Sequence, residues 1–394
     1  MIYTIQPPTS IRAKINLPAS KSISNRILIL TALSKSSYLA KNLSDSDDTQ
    51  VLKKALLSLQ MGDTTFDVGA AGTSMRFLTA FLAQTEGVWT ITGTERMKNR
   101  PIKILVDSLC EIGGKIEYLE KEKFPPLQIH GRKLSGGAIR LDGSVSSQYL
   151  SALMMIAPLM QQGLDICLEG NIISRPYIYM TIRLMQTFGV EAIQEGKQIR
   201  IEPQTYRPVP FKVESDWSAA SYWYAIMALA ESSADIELTG LEENSIQGDA
   251  KVAELFESIR LAKRLDYDFT NEPDLAQTLV VTCCVLDISF HFTGLQSLRI
   301  KETDRISALQ TELRKLGYAV KTNESEMEWS GERCEAESDP VISTYEDHRM
   351  AMAFAPACLK TGKIRIKNPG VVSKSYPGFW SNLESAGFVI STVY

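Results

Sequence analysis

Apolar positions recur along this chain in two rhythms. Segments 165–170 (DICLEG), 235–240 (DIELTG), 289–294 (SFHFTG) and 363–368 (KIRIKN) alternate apolar and polar residues, the period of a half-buried strand. Segments 218–230 (SAASYWYAIMALA) and 273–286 (PDLAQTLVVTCCVL) are apolar nearly all round, which predicts fully buried helices. A third type is amphipathic. In 297–317 (SLRIKETDRISALQTELRKLG), Ile306, Leu309, Leu313 and Leu316 fall at three- and four-residue steps, so one face packs and the other meets water.

These elements combine into one unit, repeated with irregular spacing. A polar loop, often with Ser or Asp, opens a small-residue apolar helix, and a turn leads to a strand. A Gly/Asn loop, a second, amphipathic helix and a further strand follow. Copies begin at Ser20, Gly72, Ser144, Ser215, Pro273 and Tyr345. Six α/β units at roughly 100–200 residues per domain imply three units in each of two domains. The proline-rich strip 203–210 (PQTYRPVP) precedes the fourth unit and is a natural crossover. The first 19 residues read as strands belonging with the second half. The expected division is therefore an inserted domain, 20–215, and a discontinuous one, 1–19 plus 216–394.

Composition narrows the classes. At 394 residues, 44% hydrophobic and 22% charged, the chain has globular proportions and room for two cores. A net charge of −4 without a basic block argues against a nucleic-acid partner, which needs a concentrated positive stripe. The longest apolar run, 149–160, is too short to span a bilayer, and the N-terminus lacks a signal-peptide pattern. The six cysteines have no C-x-x-C spacing; reduced, mostly buried thiols of a cytoplasmic protein are expected. The three histidines, His130, His291 and His348, are too scattered for a zinc site, so neither metal nor cofactor is expected. Nothing in the pattern signals self-association, and a monomer is the default.

Charge does change the picture at the helix starts. In 299–305 (RIKETDR), the helix is expected to begin near Lys301. That would put Lys301 and Arg305 on one face, with Glu302 beside Arg305 at i,i+3. A helix N-terminus already favours anions, so cations crowded there suggest a ligand. A self-neutralising surface cluster is the competing reading. Ser20, Lys21, Ser22 and Arg26 in 17–26 (LPASKSISNR) can form an anion cradle, or simply cap a helix. The sequence 96–101 (RMKNRP) puts Arg96, Lys98 and Arg100 before a helix, the wrong sign for its dipole. Ser146, Ser147 and Gln148 offer uncharged donors at the start of another. Glu346, Asp347, His348 and Arg349 open a further helix, and Lys374 precedes the last. Asp274 follows a proline ahead of an apolar helix, where interaction with the dipole explains it as well as catalysis does. Two carboxylates, Asp274 and Glu302, among many cations are what proton transfer on polyanions requires. Gly72 is placed for close backbone approach.

The motifs LPASKSISNR, AGTSMRF, TERMKNRPI, DGSVSSQYL, SRPYI, SIQGD, PDLAQT, RIKETDR, YEDHRMAM and SKSYPGF occur in this order. Over nearly its whole length the chain thereby resembles the 3-phosphoshikimate 1-carboxyvinyltransferase (EPSP synthase) family. The resemblance implies a two-domain inside-out α/β barrel, enolpyruvyl transferase-like, with six βαβαββ-type repeats, three per domain, and helix N-termini facing an interdomain cleft. It implies enolpyruvyl transfer from phosphoenolpyruvate to the 5-hydroxyl of shikimate 3-phosphate by addition–elimination, without metal or covalent adduct. Domain closure would assemble the site. By matching motif, Ser22, Arg26, Ser146, Ser147, Ser174, Tyr177, Asp274, Ser297 and Lys301 would hold shikimate 3-phosphate. Lys21, Gly72, Thr73, Arg100, Gln148, Arg305, Arg349 and Lys374 would hold phosphoenolpyruvate. Asp274 would take the hydroxyl proton and Glu302 would protonate the methylene carbon, with Lys21 beside them as a catalytic cation.

Three departures stand out. The family's usual N-A-G-T is Ala70-Ala71-Gly72-Thr73, Phe77 stands where a proline is common, and Ser297 replaces an asparagine. They bear on substrate affinity and on the response to glyphosate, not on the reaction. The segments before Ala71 and at 259–271 are short, and the second lacks room for an expected strand pair. Two rivals remain. One is the related transferase acting on a UDP-amino sugar, which normally lacks the K-E-T-D-R cluster. The other is a non-catalytic anion-binding relative, which Asp274 and Glu302 argue against.

Overall fold

The computed structural model describes residues 1–35 and 40–393. The chain divides into two compact units, Met1–Pro18 with Glu214–Tyr394, and Ala19–Val213.

In the unit Ala19–Val213, one motif appears twice. A strand leads through a buried helix to a parallel neighbour, and an amphipathic helix then leads to an antiparallel hairpin. The first sheet runs Thr65–Asp67, Gly87–Thr92, Leu127–Gly131, Lys115–Tyr118 in spatial order. The second runs Gly137–Asp142, Leu164–Glu169, Gln198–Ile201, Ile193–Glu195. Only the first pair in each is parallel, because a hairpin can join antiparallel strands while parallel ones need the helical crossover. The helices Lys21–Leu33, Gly72–Gln84 and Ser147–Ile156 pack on one another. Gly72–Ala83 is buried without interruption, as its lack of a polar face requires.

The discontinuous unit repeats the motif. Its sheets are Arg264–Asp268, Ser289–Thr293, Met327–Trp329, Lys321–Thr322 and Val341–Ser343, Ile364–Lys367, Ile2–Gln6, Val389–Val393. The N-terminal strand Ile2–Gln6 therefore inserts between two strands from the far end of the chain, with Ile2 opposite Lys367 on one side and Val393 on the other. Its Ile5 reaches the core of that unit. The strands Ile11–Asn16 and Ala234–Thr239 form a separate parallel pair. Helices Trp217–Ala230, Ala276–Val285 and His348–Phe354 pack together, and every residue of Ala276–Val285 is buried.

Each of the six apolar helices lies in or just after one repeat start, so the repeats are α/β units in both bodies; among the described residues none of their sheets is closed. Segment 259–271, too short for a further strand pair, holds none: helix Val252–Leu261 passes directly into strand Arg264–Asp268, which pairs in parallel with Ser289–Thr293. One expectation is corrected. The cysteines are less buried than expected. Cys283, Cys284 and Cys358 are buried, but Cys110 is exposed, because it falls on the outer face of helix Lys103–Glu111, whose core face is Leu105, Val106, Ser108 and Leu109. All six thiols are free.

Candidate active site

Many of the predicted residues stand at or just before helix starts, several of them on apolar helices. In Ala19–Val213, Ser20 caps helix Lys21–Leu33, accepting from the Ile23 N–H. Ser22 opens that helix and Arg26 lies one turn further in. The Arg26 guanidinium is 2% exposed. It donates from Nε to Thr181 Oγ1, from Nη1 to the Ser22 carbonyl and from Nη2 to Ser151 Oγ, each at 2.8 Å. The Phe77 and Tyr177 rings lie against it, with centroids 5.5 and 5.9 Å away. Those hydrogen-bond partners are neutral. Burial lowers the Arg26 pKa to about 10, opposed by Tyr177. A buried cation with only neutral acceptors is a strong site for an anion.

The neighbouring starts join this cluster. Lys21 Nζ is 3.8 Å from Asp48 Oδ2, and the Asp48 carbonyl accepts from Ser74 Oγ at 2.7 Å, tying Lys21 to helix Gly72–Gln84. Gly72 is glycine for a steric reason: a Cβ there would lie 2.6 Å from Arg100 Nη1 and 2.8 Å from Arg76 Nη1. Arg76 in turn donates to Gln148 Oε1 at 2.9 Å and lies over the Tyr149 ring. Thr73 is buried. Ser146 caps Ser147–Ile156 by accepting from the Gln148 N–H. Ser174 is buried and left-handed (φ 54°) at the start of Arg175–Thr187, yet makes no side-chain cap.

Lys98 is corrected. It pairs with Glu120 at 2.8 Å and Glu95 at 3.5 Å, so the dipole mismatch seen in 96–101 is relieved by carboxylates for this residue. Lys98 lies in the short turn Met97–Asn99, well before helix Lys103–Glu111.

In the discontinuous unit, Arg305 is the centre. Its side chain is 2% exposed and meets three carboxylates: Asp347 from Nε at 2.7 Å, Glu302 from Nη2 at 2.8 Å, and Asp274 from Nη1 at 3.1 Å. Arg349 Nη2 lies 2.9 Å from Asp274 Oδ2, and Nη1 donates to the Asp274 carbonyl. Lys301 Nζ is 3.9 Å from Asp274 Oδ1. Lys374 Nζ donates to the Glu346 carbonyl at 2.7 Å. Ser297 lies in the turn Gln296–Ile300, just before Lys301.

The helix start is corrected here. Asp304, not a residue near Lys301, is the N-cap, accepting from Ser307 N–H, and the helix runs Arg305–Lys315. Lys301 and Glu302 precede it and share no helical face with Arg305, although Glu302 still reaches it. The cap wins because an aspartate at that position satisfies an otherwise orphan N–H.

Electrostatics divides the carboxylates. Burial acts to raise Asp274, but Arg349, Lys301 and Arg305 overcome it and hold the carboxyl well below its ordinary range. Asp274 is thus a carboxylate lying among cations. Asp249, 4% exposed and accepting from Ser218, is pushed the other way, to about 7, by burial and then by the Asp274 charge. Desolvation lowers Lys301. Arg305 is raised: burial works against its charge, and Asp347, Glu302 and Asp274 more than offset that.

Sequence reasoning missed Arg76, Ser151, Thr181, Asp249 and the role of Asp347. Polar Ser151 and Thr181 inside apolar helices were the available signal, since a buried hydroxyl needs a partner. Among the described residues no group of three or more His, Cys, Asp or Glu could hold a metal ion, and no helix is long and apolar enough to cross a membrane.

Repeated α/β units whose buried helices open onto guanidiniums, hydroxyls and paired carboxylates define a class of proteins built to hold small polyanions. Comparison makes the class specific. The family profile for EPSP synthase (3-phosphoshikimate 1-carboxyvinyltransferase) matches residues 5–64 and 57–383, and the chain belongs to that family. It is 56% identical over 409 aligned residues to a 3-phosphoshikimate 1-carboxyvinyltransferase of Bacteroides fragilis, covering 99% of both chains. It is 37% identical over 423 aligned residues to one from Vibrio vulnificus, covering 97% of this chain and 98% of the other. Its fold matches an EPSP synthase structure from Acinetobacter baumannii with a TM-score of 0.78 at 20% identity, over 99% and 100% of the two chains.

Proposed function

We infer that this chain transfers the enolpyruvyl group of phosphoenolpyruvate to the 5-hydroxyl of shikimate 3-phosphate, releasing phosphate. This is the step of the shikimate pathway that leads to chorismate and the aromatic amino acids. The observation that carries the assignment of roles is the meeting of Asp274 and Glu302 on one buried guanidinium, Arg305. Full-length similarity to named transferases supports the reaction itself.

In the addition, the O5–C2 bond forms, Asp274 accepts the hydroxyl proton, and Glu302 gives a proton to the methylene carbon. In the elimination, the methyl carbon returns that proton to Glu302, the C2–O bond to phosphate breaks, and Asp274 passes its proton to the leaving phosphate. With Arg349, Lys301 and Arg305 turned on it alone, Asp274 is held well below the ordinary carboxylate range. Substrate phosphate and carboxylate groups compete for Arg349, Lys301 and Arg305, which raises Asp274 toward a working value. Ser22, Arg26, Ser146, Ser147, Ser174, Tyr177, Ser297 and Lys301 hold shikimate 3-phosphate. Lys21, Gly72, Thr73, Arg100, Gln148, Arg305, Arg349 and Lys374 hold phosphoenolpyruvate. Segments 20–215 and 1–19 plus 216–394 act as the two domains of one cytoplasmic monomer, and the scheme draws on no metal or cofactor.

The test is phosphate release with both substrates and no added metal, beside Glu302→Gln. Turnover should require both substrates and fall by about 100-fold or more in the variant. Folded protein that releases no phosphate, or that accepts a UDP-amino sugar instead, overturns the assignment.

A further inference from the structure

Tyr345 and Glu346 are consecutive and both left-handed, with φ of 51° and 56°. Residues bearing side chains seldom adopt that backbone, and it persists only where the surroundings hold it. The holder is a residue in the body of helix Arg305–Lys315. Glu312, fully buried, accepts from the Tyr345 hydroxyl at 2.6 Å, the Ser343 N–H at 3.0 Å and Lys315 Nζ at 2.7 Å. The far side of the turn is closed by Asp347 N–H donating to the Thr344 carbonyl at 2.8 Å.

What the turn presents is functional chemistry. Its Glu346 carbonyl takes the Lys374 ammonium at 2.7 Å. The next residue, Asp347, accepts from the Arg349 N–H at 2.8 Å and from Arg305 Nε at 2.7 Å. We propose that Glu312 and Tyr345 are positioning residues for phosphoenolpyruvate binding: their contact locks a strained turn that aims the Glu346 carbonyl at Lys374 and sets Asp347 between two arginines. Neither residue needs to touch substrate. The inference rests on the reading that Lys374, Arg305 and Arg349 hold phosphoenolpyruvate.

The experiment is a kinetic cycle of Tyr345→Phe, Lys374→Ala and the double variant, each checked for a wild-type melting profile. Tyr345→Phe removes one hydroxyl and keeps the ring. It should raise KM for phosphoenolpyruvate about five- to tenfold, with kcat and KM for shikimate 3-phosphate within about twofold. In the Lys374→Ala background the same change should have a clearly smaller effect, because only the Asp347 contacts remain for the turn to set. Glu312→Gln, which removes the charge but keeps the shape, should shift the same constant in the same direction. An unchanged KM for phosphoenolpyruvate in Tyr345→Phe, an equal rise for both substrates, or the same factor with and without Lys374 overturns the inference alone. A Lys374→Ala enzyme with wild-type KM for phosphoenolpyruvate overturns the reading of Lys374, and the inference with it.

Discussion

Replacing Asp347 by Asn changes one buried charge and almost no volume. Asp347 is fully buried and its main partner Arg305 is 2% exposed. Oδ1 caps helix His348–Phe354 through the Arg349 N–H at 2.8 Å, and Asn preserves that acceptor. Oδ2, which takes Arg305 Nε at 2.7 Å, becomes an amide that faces a donor with a donor. Breaking a buried pair typically costs about 3–5 kcal/mol when the remaining charge is left uncompensated. Arg305 retains Glu302 and Asp274 at 2.8 and 3.1 Å, so the expected loss is smaller, about 2–3 kcal/mol. Urea denaturation followed by tryptophan fluorescence suits this unit, since Trp217, Trp223, Trp329 and Trp380 belong to it and only Trp89 to the other. In an Arg305→Met background the same substitution should cost less than about 1 kcal/mol, because the buried cation that pairs with Asp347 is gone. A loss under about 1 kcal/mol with Arg305 present, or an equal loss without it, refutes the reasoning.

Gly72→Ala places a methyl within 2.6 and 2.8 Å of the Arg100 and Arg76 guanidiniums. Both are ends of flexible side chains, so the fold should survive, while displaced cations raise KM for phosphoenolpyruvate by about tenfold or more; an unchanged constant contradicts this. Arg26→Lys cannot serve Thr181, Ser151 and the Ser22 carbonyl together, and KM for shikimate 3-phosphate should rise about tenfold; steady-state kinetics at fixed phosphoenolpyruvate checks it. Asp249 keeps its proton in the folded state up to about pH 7, whereas the unfolded chain releases it near 3.8. Stability therefore falls as pH rises through that window. Asp249→Asn should gain on the wild type from pH 4 to 7 and hold a constant advantage above, and a gap independent of pH in denaturation curves refutes it.

Much of the fold was legible because burial imposes period. A strand such as DICLEG must alternate and a helix such as 276–285 must be apolar all round, whatever their partners, so the six repeats could be counted before any contact was known. Recurring polar helix starts likewise made candidates of Lys21, Arg26, Gln148, Asp274, Arg305 and Arg349. The short segment 259–271 left no room for a further strand pair, and the backbone there passes from helix into the next strand. Charge crowding at 299–305 points to a helix start near Lys301, whereas the Asp304 cap sets it at Arg305.

The sequence alone determined which elements form, where their apolar faces lie, and which residue types stand at the helix starts, because these depend on local chemistry and spacing. Only tertiary structure decided the rest. It set Ile2–Gln6 between two strands from the other end of the chain, closed Glu312 onto Tyr345, and settled the sign of the Asp274 shift. Each of these turns on how closely groups distant in sequence approach and how much water they lose, and a one-dimensional pattern carries neither quantity.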